Sequence, residues 1–170
     1  TTETPDFDNI TDADTRINGA GSFTVYIVVS NPYNVDDDHA IANLGGFEFR
    51  VDYDPALFFT PTIHPSATNF LTSPDFYCGC NIPVVNGMAT VVTLAIGAFA
   101  PDPSEFFLSP VQGAPPSIPN SLAITDFDDD YSLAPAYPSS GSFTDAVFGF
   151  NTSVVPNEDA SWGDVKSLYR

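Results

Sequence analysis

The chain has 170 residues and a net charge of −18, from 22 acidic against 4 basic side chains. Such a surface repels phosphate backbones and anionic headgroups, which excludes nucleic acid and acidic membranes as partners. At 43% hydrophobic, with 15 Phe and 7 Tyr, one domain can bury a real core and wholesale disorder is excluded.

Residues 1–20 read as an extended acidic arm. Phe7, Ile10 and Ile17 are its large apolar side chains, and nothing in it recurs at helical spacing. From Gly21 to Ser30, Phe23, Val25, Ile27 and Val29 alternate onto one face, which predicts a strand ended by Asn31-Pro32. Asn34 to His39 is a turn carrying Asp36, Asp37 and Asp38 in succession. Gly46 to Tyr53 alternates again, with Phe47, Phe49, Val51 and Tyr53 inward and Glu48, Arg50 and Asp52 toward water. Leu57–Phe59 and Asn69–Leu71 are short candidate strands between proline-rich turns. Asn86-Gly87 predicts a tight turn leading into Ala89–Ile96, apolar on both faces and therefore a central strand. That apolar run continues to Ala100 but is broken by Thr93 and Gly97, and it is too short to span a bilayer.

Gly113 to Pro119 is a proline-dense loop. Leu122–Phe127, Tyr131–Leu133 and Ser142–Phe150 complete the expected strands. Eight to ten short strands with this turn spacing predict an all-β, two-sheet antiparallel β-sandwich over residues 21–150. The tail, residues 151–170, changes period. Trp162, Val165 and Leu168 or Tyr169 recur at helical spacing behind Ser161, which predicts a short terminal helical turn docked by Trp162.

The segment Leu44-Gly45-Gly46-Phe47-Glu48-Phe49-Arg50-Val51-Asp52-Tyr53-Asp54-Pro55-Ala56-Leu57 resembles the strand signature of cohesin-like modules, a small-residue and aromatic strand that ends in Tyr-Asp-Pro. The strands before and after it fall in the order those modules use, and the resemblance spans residues 21–150. It implies a cohesin-like or jelly-roll sandwich whose relatives include protein-binding, carbohydrate-binding and surface-layer modules. The matching positions are core and turn residues, so no partner-contact residue carries over. The ending Ser161-Trp162-Gly163-Asp164-Val165-Lys166-Ser167-Leu168-Tyr169-Arg170 resembles one found on exported proteins of some bacteria.

Export is expected on other grounds too. The sequence opens at Thr1 without an initiator Met, as a chain does once a signal peptide is removed. Asn9 and Asn151 begin Asn-X-Thr/Ser sequons open to glycosylation. Cys78 and Cys80, the only cysteines, are expected to close a small disulfide loop outside the cytosol.

Two readings are open for the Asp clusters. Asp126, Asp128 and Asp130 project from one side of an extended segment and Asp36 and Asp38 from another turn, an oxygen-rich set suited to structural Ca²⁺. The same residues also make ordinary solvated acidic turns. His39 and His64 are isolated, and the chain has no Gly-x-Ser-x-Gly, phosphate loop or His-Glu-x-x-His. A non-enzymatic role is therefore expected, with no cofactor beyond that Ca²⁺. The leading expectation is a self-polymerising extracellular structural subunit whose arm adds as a strand to a neighbour, with Phe7, Ile10, Ile17 and Trp162 making contacts. The alternative is a cohesin-like recognition module for a polysaccharide or another surface protein, which an exposed aromatic row including Tyr26 and Tyr53 would serve.

Overall fold

The computed structural model describes residues 15–53, 57–98 and 102–152, and these form an all-β sandwich. Thirteen strands run in chain order: β1 (Arg16–Ile17), β2 (Gly21–Ser30), β3 (Tyr33–Asn34), β4 (His39–Ala40), β5 (Asn43–Tyr53), β6 (Phe58–Ile63), β7 (Thr68–Asn69), β8 (Asp75–Pro83), β9 (Met88–Ala98), β10 (Ser104–Ser109), β11 (Leu122–Asp126), β12 (Ser132–Ala136) and β13 (Phe148–Phe150). The larger sheet is organised around β5. On one flank β5 pairs with β8, which carries β7; on the other it pairs with β11 over its first half and β10 over its second. Beyond β11 lies β12, and beyond β10 lies β13, which β1 joins in parallel. The smaller sheet has the order β2-β9-β6, and β3 and β4 form a separate hairpin.

Alternation explains the core. Phe47, Phe49 and Val51 of β5 meet Phe76, Cys78, Cys80 and Ile82 of β8 on the inner face of the larger sheet. Val92, Leu94 and Ile96 of β9 oppose them from the smaller sheet. Phe47 stacks on Phe49, and Phe49 lies 5.2 Å from Phe76 between ring centroids. β9 is central, as its apolar character on both faces requires. A bulge between Ile27/Val28 and the β9 partners inserts Val91, which is fully buried beside Val92. Asn86 and Gly87, both at positive φ, make the tight turn between β8 and β9. Pro61 sits on the edge strand β6, where a missing donor costs no ladder bond.

Several local expectations are corrected. Cys78 and Cys80, expected to close a small loop, lie within the nine-residue strand β8, which was absent from the expected strands. β10 was absent from the expected strands, and only Phe148–Phe150 of the stretch 142–150 is a strand. Glu48 does not face water. Its Oε1 accepts the Ser117 backbone N–H at 2.9 Å, and it is buried beneath the loop of residues 110–121. Gln112 N–H binds Asp75 Oδ1 at 2.7 Å, while Arg50 bonds both Asp52 and Asp75, so that loop is strapped to the outer face of the larger sheet. The helical turn expected at the tail lies outside the described residues, as do Phe7, Asn9, Ile10 and Trp162.

Candidate functional site

The two Asp-rich turns converge at one end of the sandwich. Asn34 of β3, 1% exposed, is the hub. Its Nδ2 donates to Ser132 Oγ at 2.7 Å, Asp129 Oδ2 at 3.1 Å and Asp37 Oδ2 at 3.2 Å. Its Oδ1 accepts the backbone N–H groups of Asp36 and Asp37, an Asx turn that shapes the β3–β4 connection. Asp37 and Asp129 face each other, and the Asp129 carboxylate holds the Asp37 carboxyl above its ordinary value while Ser132 and Asp37 lower Asp129.

Beside them His39 Nε2 lies 2.7 Å from Asp126 Oδ2. Asp126 is 1% exposed and also accepts the Asp128 N–H at 3.1 Å through Oδ1. The His39–Asp126 hydrogen bond raises the His39 pKa. Of the Ca²⁺ candidates, Asp126 is thus engaged by His39, Asp128 by Asn43 Nδ2 at 2.7 Å and Asp38 by the Tyr33 hydroxyl at 2.7 Å. Asp36 and Asp130 join no common oxygen shell with them: among the described residues no group of three or more His, Cys, Asp or Glu is arranged to hold a metal ion. The expected one-sided row of Asp126, Asp128 and Asp130 fails for a backbone reason. Asp130 and Tyr131 both have positive φ, so the strand alternation ends at Asp126.

The expected disulfide is also corrected. Cys78 and Cys80 are free, buried thiols. Residues two apart on a strand point to the same face with Cβ atoms roughly 7 Å apart, beyond the ~4 Å a disulfide spans. Burial pushes the Cys78 thiol up to about 12 and the Cys80 thiol up to about 11.

Ile17, expected to contact a neighbouring subunit, packs instead against its own core, and the β1 ladder ties residues 16–17 to β13. The domain therefore begins before residue 21. Asn151 adds a clamp that sequence reasoning missed. Its Oδ1 accepts the Gly19 N–H at 2.7 Å and its Nδ2 donates to the Gly19 carbonyl at 3.1 Å, so the sequon side chain fixes the β1–β2 turn. Tyr53 packs against Phe59 and Phe106, and Tyr26 is half-buried, so these two form no exposed aromatic row.

The sandwich flank between β1 and β2 differs from the rest. Among the described residues β2 is the terminal strand of its sheet. Its ten residues contain neither a charge nor a proline. Phe23, Val25, Ile27 and Val29 face the core but are only partly buried, whereas Val92, Leu94 and Ile96 of the adjacent β9 are buried completely. No family model, curated protein or solved structure matches the chain.

Proposed function

We propose that the chain is a non-enzymatic structural subunit of an extracellular filament or surface assembly, in which the N-terminal segment of one copy adds as a strand along β2 of the next. The observation that carries this reading is the half-finished core beside β2. Natural edge strands are shortened, charged, bulged outward or interrupted by proline to prevent pairing, and β2 is long, neutral and proline-free. A further strand would complete the burial of Phe23, Val25, Ile27 and Val29. The edge is about 33 Å long, and residues 1–14 span up to about 46 Å when extended. Phe7 and Ile10 would supply apolar side chains beside Phe23, Val25, Ile27 and Val29, which the described residues bury only in part.

Donor and acceptor are different surfaces, so the contact is heterologous and propagates as a fibre rather than closing as a dimer. Each subunit brings a charge of −18, so salt or divalent cations that screen this repulsion favour the polymer. Electron microscopy and sedimentation test the reading. The full chain should form uniform polymers. Removing residues 1–14, or placing Thr24→Lys with Val28→Lys on β2, should leave a folded monomer. Polymers that persist in the truncated chain refute strand addition, and a full chain that stays monomeric at high concentration with added cation refutes assembly.

A further inference from the structure

Two Asn-Gly pairs stand in the chain, Asn18-Gly19 and Asn86-Gly87, and every other asparagine precedes a residue with a side chain. The pairing matters chemically. A glycine nitrogen is screened by no Cβ and can reach the preceding carboxamide carbon to close a five-membered ring. Asn18 follows β1 and Asn86 follows β8, both exposed, but the two glycine nitrogens are held differently. Gly19 N–H donates to Asn151 Oδ1 at 2.7 Å, and the Gly19 carbonyl accepts from Asn151 Nδ2 at 3.1 Å. Around Asn86 the hydrogen bonds pass the glycine nitrogen by. Val85 N–H donates to the Met88 carbonyl at 2.8 Å, Met88 N–H to the Val85 carbonyl at 3.0 Å, and Asn31 N–H to the Gly87 carbonyl at 2.6 Å. Among the described residues nothing accepts from the Gly87 N–H or engages the Asn86 carboxamide.

The turn cannot exchange that glycine for a screened residue. Gly87 is at φ +75°, and Asn31 Oδ1 fills the place that a Cβ there would take. Asn86, at φ +52°, completes a two-residue turn with both central residues left-handed, the type that Asn-Gly suits best. The pair that lets the β8–β9 hairpin close so tightly is therefore the pair that exposes it to ring closure.

We infer that Asn86 is a site of spontaneous deamidation in the folded chain, and that the Asn151 clamp spares Asn18. The Gly87 nitrogen gives its proton to water and bonds to Asn86 Cγ. The Cγ–Nδ2 bond breaks, and Nδ2 leaves as ammonia with a proton taken from water. A second water then opens the succinimide at one of its two carbonyls. Attack at Cγ leaves aspartate, whereas attack at the main-chain carbonyl leaves isoaspartate, whose backbone runs through Cβ and Cγ. The net change is ammonia lost and water gained, with no oxidation or reduction. Either product adds a carboxylate to a chain already at −18. Isoaspartate also adds a methylene to the backbone of a two-residue turn. The paired Val85–Met88 bonds and the Asn31–Gly87 bond then no longer fit together, and the hairpin tip opens.

The test incubates the full chain at pH 8, natively and in urea, and follows the peptides carrying each pair by mass spectrometry, where deamidation adds about 1 Da. An isoaspartyl methyltransferase separates isoaspartate from aspartate. In the native chain Asn86 should convert about tenfold faster than Asn18, the factor that one hydrogen bond is worth. In urea the two should react within about threefold of each other, since unfolding removes the clamp and the turn alike. That comparison uses the unaltered chain and depends on no variant's folding. Asn151→Ala should accelerate Asn18 in the native state while Asn86, the internal standard for global unfolding, keeps its rate. Amide exchange at Asn31, Val85 and Met88 should rise in the isoaspartate fraction. The proposal is overturned by an Asn86 that stays intact in the native chain, by an Asn18 that converts there as fast as Asn86, by an Asn18 rate unmoved in Asn151→Ala, or by full protection of the three amides in the isoaspartate form.

Discussion

Asn34→Ala should destabilise the domain by about 2–3 kcal/mol, because one buried amide holds two turns together. The side chain donates to Asp37, Asp129 and Ser132 and accepts from two backbone N–H groups. Bonds to charged groups are worth about 1.5–3 kcal/mol each and neutral ones about 1 kcal/mol. Those values do not sum, since Asp37 and Asp129 lie at the surface and regain water once the amide is gone. For a chain of 170 residues the loss corresponds to a melting temperature lower by about 4–10 °C. Asn34→Asp separates packing from electrostatics. It puts a third carboxylate against Asp37 and Asp129, so at pH 7 it should cost more than alanine. The deficit should shrink on acidification, as the raised Asp37 carboxyl takes up a proton first. Urea unfolding followed by circular dichroism at pH 7 and pH 5 measures both variants. An alanine variant within about 0.5 kcal/mol of the unaltered chain would refute the hub. An aspartate variant more stable than alanine at pH 7 would show that a cation neutralises the turn.

Three shorter predictions follow the same logic. With both thiols buried and their pKa values pushed up to about 12 and about 11, Cys78 and Cys80 should resist a thiol reagent in the native state at pH 8 and react fully in denaturant; native reactivity, or a mass 2 Da below the dithiol by the loss of both thiol protons, counts against them. The two histidines should titrate apart by NMR, His39 above the usual 6.5 through its bond to Asp126 and His64 below it through burial. His39 therefore stabilises the fold below pH 6.5 and loses that contribution as pH rises through its raised value, whereas His64 stabilises above 6.5 and loses it as pH falls through its lowered value; a His39 midpoint unmoved by Asp126→Asn would break the assignment. Gly45→Ala would bring a Cβ within 2.7 Å of the Tyr131 ring and 3.1 Å of the Phe127 backbone, so it should cost about 1–3 kcal/mol by overpacking, and a neutral result would show that Tyr131 does not rest there.

The strands legible in the sequence were those whose alternation is unbroken. β2 and the Phe47–Tyr53 part of β5 present large apolar residues at every second position, and β9 is apolar on both faces. β8 has the same inward period, in Phe76, Cys78, Cys80 and Ile82. Gly79 between the two cysteines imitates a turn, and only packing against β5 decides the matter in favour of a strand. β10 is short, and its inward Phe106 is followed by Phe107 and Leu108, so no period shows until β5 and β13 fix its register.

The sites were less legible because they depend on pairings that no local pattern encodes. The Asp residues were visible, yet which of them meet depends on Asp130 and Tyr131 adopting the left-handed conformation that ends the β12 hairpin. Asp126 continues the inward period of Leu122 and Ile124 and so lies in the core under His39, while the reversal brings Asp129, not Asp128 or Asp130, to Asn34 and Asp37. The meeting of glycines where β5 lies between β8 and β11 depends on register to the same degree. Gly46 and Gly79 lie 33 residues apart, and Thr125 lies 46 beyond Gly79, yet β5 aligns all three. The Gly45-Gly46 pair could be read from the sequence as part of a strand signature. A one-residue slip of β11 or β8 against β5 would instead turn Ile124 or Cys78 away from the core. Against β11 the extra residue is Gly45, whereas against β8 it lies on β8, where Cys80 and Asn81 stand opposite Gly45; both irregularities oppose that slip, so the same glycine that leaves room for Tyr131 also helps to fix the register.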